Sequence, residues 1–211
     1  EIRIPDYSAY ILTPKAPDTP RINGPKVTGA TPGADFLYRI PATGVRPMTF
    51  AAEGLPKGLR LDEATGIITG KVRKAGTYIV TLKAENALGS NEKEIRIVIG
   101  DKVALTPPLG WNSWNCWGNS VSQELMESSA KAMVESGLAD YGWSYINIDD
   151  GWQGVRGGEH KAIMPNSKFP DMKALGDYIH SLGLKFGIYS TPWVSTYASH
   201  IGSSCDNPEG T

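Results

Sequence analysis

The pattern of apolar and polar positions changes its period near residue 100 of this 211-residue chain. Before that point, short apolar runs alternate with polar residues and are separated by turns that contain Gly, Pro or Asn. Strands of this length, spaced roughly 8–12 residues apart, predict a small β-sandwich. The predicted strands are residues 36–40, 48–52, 59–62, 67–70, 77–84 and 94–99.

Beyond residue 101 the apolar residues recur at helical spacing between shorter strand-like runs. A first helix is expected after Ser120, because Ser120 and Gln123 have the spacing of a capping box. A second helix is expected from about Pro170 to Gly183. Strand and helix in alternation predict adjacent parallel strands, which is how a (β/α) barrel begins.

Charge and cysteine content exclude several classes of partner. A net charge of -1 argues against nucleic acid or an anionic membrane as the main partner. No apolar run approaches the ~20 residues of a membrane span. The sequence begins at Glu1 without a leader, so we expect any signal peptide to be removed or to lie outside it. Cys116 and Cys205 have no metal-ligand spacing, and two unrelated thiols are favoured over a disulfide. We expect neither a metal nor a cofactor.

Two runs carry the candidate chemistry: TPPLGWNSWNCW at residues 106–117 and YINIDDGW at residues 145–152. Each reads as a short strand that ends in aromatic and polar side chains, where a parallel α/β domain builds its ligand site. Paired carboxylates accept hydrogen bonds from sugar hydroxyls, and an indole face covers the apolar side of the ring. Asp149 and Asp150 can reach one ligand only if the chain leaves the strand there, which Gly151 makes easy. The alternative is that one Asp caps the following turn or pairs with Arg156.

These runs, together with GLKFGIYS at residues 183–190, resemble the start of the catalytic domain of glycoside hydrolase family 27, the α-galactosidases or melibiases. The resemblance covers most of residues 104–192 in the right order. It implies that Trp114, Asp149, Asp150 and Tyr189 contact galactose, with the two carboxylates bonding O4 and O6. The remaining tryptophans of this part, apart from Trp193, are expected to pack rather than bind: Trp111, Trp117, Trp143 and Trp152.

The resemblance also implies retaining hydrolysis, in which one carboxylate attacks the anomeric carbon and a second carboxyl group protonates the leaving oxygen. The family carries its nucleophile on the fourth barrel strand and its acid further on. We therefore expect both to lie beyond Thr211, and no catalytic residue in this chain. Roughly 110 residues against the ~250 of a complete barrel cannot close the sheet. The chain alone is expected to be inactive and to self-associate through its open edge.

The first region resembles the immunoglobulin-like module of bacterial surface and secreted enzymes. The resemblance rests on GLPKGL at residues 54–59, the Asp-x-x-Thr-Gly turn that begins at Asp62, and Gly-Thr-Tyr at residues 76–78. A spacer or packing role is favoured over a carbohydrate-binding or adhesion surface. The predicted fold is multidomain: an extended lead-in over 1–20, an all-β immunoglobulin-like sandwich over 21–101, and the first three βα units of a truncated (β/α)8 TIM barrel over 102–211.

Two departures from the family pattern leave the specificity open. Gly151 stands where many members have a Cys, so Cys116 lacks that partner, and the role of Cys205 is undetermined. Residues 191–193, Thr-Pro-Trp, replace the usual small polar residues after the third strand. The expected activity is a secreted, periplasmic or cell-surface bacterial exo-α-galactosidase acting on galactose-containing glycans. The alternatives are an α-N-acetylgalactosaminidase, a β-L-arabinopyranosidase or a non-catalytic carbohydrate-binding fragment.

Overall fold

The computed structural model describes residues 15–102 and 104–207. Most of the predicted extended lead-in, residues 1–14, lies outside the described residues. Thr211, beyond which we expect the nucleophile and the acid, also lies outside them, so that expectation stays a prediction.

Up to residue 100 the described chain forms strands and turns and no helix. The strands are β1 (Arg21–Ile22), β2 (Val27–Ala30), β3 (Asp35–Arg39), β4 (Ala42–Thr43), β5 (Thr49–Glu53), β6 (Leu59–Asp62), β7 (Ile67–Lys71), β8 (Gly76–Asn86) and β9 (Gly89–Ile99).

These strands build two sheets that enclose one apolar core. One sheet has the order β2-β9-β8-β5 and the other β3-β7-β6, while β1 and β4 form a short separate pair. The alternation of β8 and β9 points one side of each strand inward, as expected for strands with one buried face. The buried core residues on these two strands are Val80, Leu82, Ala84, Ile95, Ile97 and Ile99. The prediction of an all-β immunoglobulin-like region is therefore confirmed.

The longest hairpin extends further than the sequence predicts. Strands β8 and β9 pair over their full lengths, from Gly76 opposite Ile99 to Asn86 opposite Gly89. Only two residues separate the two strands, and the Asn86 side chain accepts a hydrogen bond from the Leu88 N–H at 2.9 Å. Residues 85–93, which separate the two predicted strands, therefore belong mainly to the paired strands.

The second region contains a parallel sheet with helices against one face. Its elements are β10 (Gly110–Asn112), α1 (Trp114–Trp117), α2 (Gln123–Glu135), β11 (Tyr145–Ile148), β12 (Gln153–Gly157), β13 (Ala162–Pro165), α3 (Met172–Ser181) and β14 (Lys185–Ile188). Strands β10, β11 and β14 pair in that order, all parallel. We refer to residues 104–207 as the βα region. None of the helices in the described ranges has the length and hydrophobicity needed to span a membrane.

Helices α2 and α3 bury their apolar faces against β11. Ile146 and Ile148 on β11 are fully buried, and residues in between face the opposite side of the sheet. The helix residues that complete this core are Met126, Ala130, Met133, Leu175 and Ile179. The four tryptophans expected to pack do so, with Trp152 in the core and Trp111, Trp117 and Trp143 against it.

Two features of the βα region differ from the sequence prediction. Helix α2 is capped by Ser122, whose hydroxyl accepts the Leu125 N–H at 3.3 Å, and Ser120 lies in a preceding 3₁₀ turn. The predicted capping box fails because the Gln123 side chain accepts the Asp171 N–H at the start of α3 instead of reaching back. The hairpin of β12 and β13 was not predicted, because its glycines interrupt any apolar alternation.

The β-sandwich packs against the amino ends of the parallel strands. Asp140, in the 3₁₀ turn before β11, accepts a hydrogen bond from Arg39 at 3.4 Å and forms an ion pair with Arg46 at 3.0 Å. Asn23 donates to the Asp140 carbonyl at 2.9 Å, and Arg39 donates to the Leu182 carbonyl before β14 at 3.3 Å. Each contact joins the sandwich to a turn that leads into a parallel strand, so the opposite end of the sheet remains available for a site.

Candidate functional site

The first site element follows β10. Ser113 is fully buried, and its N–H donates to the Asn147 carbonyl of β11 at 3.1 Å. The Asn112 side chain accepts the Trp114 N–H at 2.9 Å, which turns the chain into the short helix α1. Trp114 therefore lies two residues past the strand instead of ending it, and 40% of its surface is exposed. An exposed indole at this edge is free to contact a ligand.

Asp149 continues directly from β11 at the carboxyl edge of the sheet. Its N–H donates to the buried Ser113 hydroxyl at 3.0 Å. The residue that follows β10 therefore fixes the position of the residue that follows β11. One Asp149 carboxylate oxygen accepts the Asp150 N–H at 2.7 Å. The side chain is half-buried, and its other oxygen accepts no hydrogen bond from the described residues. The Ser113 contact was not predicted, since nothing in the sequence links residues 36 positions apart.

Asp150 is held by backbone N–H groups on both oxygens. Oδ1 accepts the Gly151 N–H at 3.2 Å and Oδ2 accepts the Ala198 N–H at 3.0 Å. Only 2% of Asp150 is exposed, so Asp150 is less accessible to a ligand than the half-buried Asp149. The strand ends at Ile148, before both residues, and Gly151 adopts φ +101°, so the chain leaves the strand at this point.

Arg156 has a different role from the one the sequence alternative gave it. Its guanidinium donates to the carbonyls of Lys161 at 3.0 Å, Gly202 at 2.6 Å and Ser204 at 2.8 Å. Within the described ranges it forms no ion pair with either site carboxylate. Arg156 therefore ties the β12–β13 hairpin to the segment after β14.

Tyr189 brings the third strand to the same edge. Its N–H donates to the Ile148 carbonyl at 2.9 Å, and its carbonyl accepts the Trp152 indole N–H at 2.9 Å. Partial burial raises the pKa of the phenol, the charges of Asp150 and Asp149 raise that pKa further, and a hydrogen bond from the Tyr197 N–H opposes them. The Tyr189 hydroxyl is therefore neutral at physiological pH and able to donate a hydrogen bond.

The inner face of the sheet is crowded at one point. A Cβ on Gly187 of β14 would lie 1.9 Å from Oδ1 of Asn147 on β11, directly opposite in the register. No side chain fits there, so glycine lets the Asn147 amide occupy the inner face below the carboxylates. This close approach could not be read from the sequence.

Residues 191–207 form an ordered loop over this edge. Ser195 and Ile201 make an antiparallel bridge, and the Thr196 N–H donates to the His200 carbonyl at 2.8 Å. The His200 ring also lies 3.0 Å from the Asn119 side-chain oxygen. Sequence reasoning missed the loop's contacts with the site because the segment lacks any regular period. We call it the 191–207 loop.

The described residues contain no cluster of His, Cys, Asp and Glu able to hold a metal ion. Cys116 and Cys205 are both free and exposed. The site consequently consists of two carboxylates, a phenol and an indole, which is a set suited to a polar, uncharged ligand with many hydroxyl groups. The four residues follow the three parallel strands. Trp114 comes after β10, Asp149 and Asp150 come after β11, and Tyr189 comes after β14.

Comparison with known families agrees with this division of the chain. Residues 106–208 match the family model described as "Alpha galactosidase A", and residues 19–100 match the one described as "Putative Ig domain". Alpha-galactosidase A from Cellvibrio japonicus is 45% identical over 104 residues, 49% of this chain and 26% of that protein. The α-galactosidase of Coffea arabica is 39% identical over 123 residues, 57% of this chain and 32% of that protein.

Two crystal structures from Bacteroides fragilis match both regions at once. One, described as a "putative alpha-galactosidase/melibiase", has a TM-score of 0.84 and 50% identity, covering 88% of this chain and 40% of its own. The other, described as a "putative alpha-galactosidase", has a TM-score of 0.86 and 46% identity, covering 92% of this chain and 42% of its own. The chain thus spans less than half the length of these relatives. Its βα region is similar to the α-galactosidases of glycoside hydrolase family 27, and its β-sandwich is similar to the Ig-like domains.

Proposed function

We propose that this chain supplies the galactose-binding part of a retaining, exo-acting α-galactosidase. The substrate class is oligo- or polysaccharides with terminal α-galactosyl residues. One observation carries the proposal: Asp149, Asp150 and Tyr189 lie together at the carboxyl edge of a parallel sheet in the region that matches the α-galactosidase family. The carboxyl edge is where enzymes of the (β/α) barrel type bind substrate.

The electrostatics of the site suit galactose recognition. Asp149 has acceptor capacity that no protein cation occupies within the described ranges, so it can accept hydrogen bonds from sugar hydroxyls. Asp150 keeps lone pairs beyond its two backbone hydrogen bonds, because a carboxylate offers about four acceptor sites. A carboxylate that must bond the axial O4 discriminates against glucose, since the wrong epimer leaves the charge unsatisfied. The neutral Tyr189 hydroxyl and the Trp114 indole complete the proposed site.

Bond cleavage in this proposal belongs to other residues. Retaining hydrolysis needs a nucleophile and an acid about 5–5.5 Å apart. We assign Asp149 and Asp150 to recognition, and we assign both cleavage roles to residues beyond Thr211 instead of to any residue of this sequence.

The 211-residue chain alone is then expected to give no turnover, and to associate through the edge of β14, where Ile188 is 53% exposed. Hydrolysis of a nitrophenyl α-galactoside by the purified chain measures the first expectation. Any activity, with longer contaminants excluded by mass spectrometry, would contradict the assignment of the cleavage roles.

The test of the galactose site is Asp149→Asn in an active α-galactosidase that contains this chain. We expect kcat/KM for 4-nitrophenyl α-galactoside to fall at least ~10²-fold, because a hydrogen bond to a charged acceptor is lost. Asp177→Asn is the matched control: Asp177 is exposed on α3 and pairs only with Lys173 there. The control should retain full activity. An unchanged kcat/KM for Asp149→Asn would overturn the galactose-binding assignment.

The residues after β14 are a reason to test two related substrate specificities beside that for α-galactosides. The 191–207 loop contacts Asp150 directly, and its Thr-Pro-Trp start departs from the family pattern. Nitrophenyl α-galactoside, α-N-acetylgalactosaminide and β-L-arabinopyranoside should therefore be assayed together, and we expect the first to be preferred. Binding without hydrolysis would favour a carbohydrate-binding fragment. We further propose a bacterial, secreted or periplasmic location, in line with the solved Bacteroides fragilis relatives.

A further inference from the structure

An exposed aromatic pair lies on the 191–207 loop. Tyr197 is 82% exposed, the largest exposed fraction among the large apolar and aromatic residues described. Its ring meets that of Trp193 edge to face, with centroids 5.8 Å apart and planes at 85°. This geometry is a favourable one for aromatic pairs, and it leaves ring surface of Tyr197 open to solvent.

The backbone places Tyr197 beside the site. The Tyr197 backbone lies close enough to the Tyr189 hydroxyl to lower the pKa of that phenol, and the next N–H, of Ala198, donates to Asp150 at 3.0 Å. Two consecutive backbone groups thus contact two of the proposed galactose-binding residues. The Tyr197 side chain begins between these two contacts, and the residue itself is exposed. Its ring therefore lies next to the site and on the solvent side of it.

The loop is rigid enough to hold the ring there before a ligand binds. Thr191 and Thr196 are buried, and the Thr191 hydroxyl donates to the Ser195 carbonyl at 2.7 Å. The Gly202 N–H donates to the Val194 carbonyl at 2.9 Å, and Arg156 fixes the returning strand of the loop. A preorganised aromatic surface loses little conformational freedom on binding, so its contact area contributes more to affinity.

We propose that Tyr197, oriented by Trp193, binds the sugar unit that precedes the terminal galactosyl residue, on the leaving-group side of the cleaved bond. This rests on the proposed exo-acting function, because an exo-acting site encloses only the terminal residue and the rest of the glycan extends to solvent. A phenol ring presents an apolar face and a polar tip, which match the C–H face and hydroxyls of a neutral pyranose. The site would therefore favour a sugar leaving group over a small one.

The experiment is saturation-transfer NMR on this chain with melibiose, a galactose linked α-1,6 to glucose. We expect protons of both rings to receive saturation from the wild-type protein. Tyr197→Ala should lower saturation of the glucose ring about fivefold, the order expected from losing one aromatic contact, and leave the galactose ring within about twofold. Tyr197→Phe keeps the ring and should match the wild type. Both variants keep the backbone N–H of residue 197 beside Tyr189.

Tyr141→Ala is the matched control, because Tyr141 is also exposed but adjoins the sandwich contact at the amino ends of the strands. It should leave both rings saturated. Saturation of galactose without glucose in the wild type, or equal loss of both rings in Tyr197→Ala, would overturn the inference and leave the proposed function standing. No saturation of the galactose ring in the wild type would overturn the proposed function, and this inference with it.

Discussion

The two ends of the parallel sheet use the same side chain in opposite ways. At the amino end, the Asp140 carboxylate forms ion pairs with two arginines of the β-sandwich. At the carboxyl end, Asp149 and Asp150 accept hydrogen bonds only from backbone N–H groups in the described part of the chain. One carboxylate is neutralised by cations, whereas the other two keep their charge uncompensated by side chains.

The difference separates a structural carboxylate from the two that we propose bind the sugar. A paired Asp has satisfied its acceptors and adds to the cohesion of two regions. A carboxylate held by backbone amides is positioned without losing its charge, so it retains strong acceptors for hydroxyl groups. The type of partner, more than the depth of burial, therefore distinguishes the two ends.

The largest effect is expected at Asp150, where holding the loop and binding the sugar coincide. Asp150→Asn puts an amide N–H₂ opposite one of two backbone N–H donors, so one hydrogen bond is lost. We expect unfolding free energy to fall by ~1–3 kcal/mol and kcat/KM of the active enzyme by at least ~10²-fold. Urea unfolding of the chain and α-galactoside kinetics measure the two. Asp149→Asn should lose activity with less than half that loss of stability, and equal stability losses would break the distinction.

A smaller effect tests the sandwich through Tyr38, the neighbour of Arg39. Burial raises the Tyr38 pKa to about 12 from 10.0, so the folded state resists ionisation of the phenol. The stabilisation by the neutral phenol is complete below pH 10 and is lost as the pH rises from 10 to about 12. At pH 11 the free energy of unfolding is therefore lower by ~1.4 kcal/mol. Tyr38→Phe should lack this loss. The measurement is urea unfolding at pH 8 and pH 11, monitored by far-ultraviolet circular dichroism. An identical pH dependence in the wild type and in Tyr38→Phe would refute this prediction.

The smallest effect concerns the Asp140 contact. The two arginine partners of Asp140 are partly exposed, so solvent screens the ion pairs. We therefore expect Asp140→Ala to lower the free energy of unfolding by about 1 kcal/mol. All six tryptophans lie in the βα region, so their fluorescence reports that region while circular dichroism includes the sandwich. We expect the two unfolding curves to separate in Asp140→Ala and to coincide more closely in the wild type. Asp177→Ala, which removes an exposed pair on α3, should leave both curves in place.

The periodic parts of the fold could be predicted from the sequence. Apolar alternation predicted β8 and β9, and helical spacing predicted α2 and α3, because each element buries one face whose residues recur at a fixed interval. Strands of two residues, such as β1 and β4, carry too few positions for any period to appear.

The site was predictable by type of residue and not by arrangement. Strand ends rich in Asp and Trp indicate a sugar site at the carboxyl edge, and the predicted candidates are Trp114, Asp149, Asp150 and Tyr189. The buried state of Asp150 depends on the Ala198 N–H, 48 residues away, and no local signal encodes that contact. Likewise the Ser113 contact with Asp149 arises only once β10 and β11 are paired.

The position at which the β-sandwich packs affects how large a polymer the proposed site can accept. Its contacts lie at the turns before β11 and β14, and β11 alone separates that end from Asp149 by about 13 Å at ~3.3 Å per residue. Under the proposed function, a branched polysaccharide that approaches the carboxylates would meet the 191–207 loop and the β12–β13 hairpin before the sandwich. Crowding by side branches on the polymer is then governed by those two short segments, and exchanging them would change the tolerated branching pattern without disturbing the docked module.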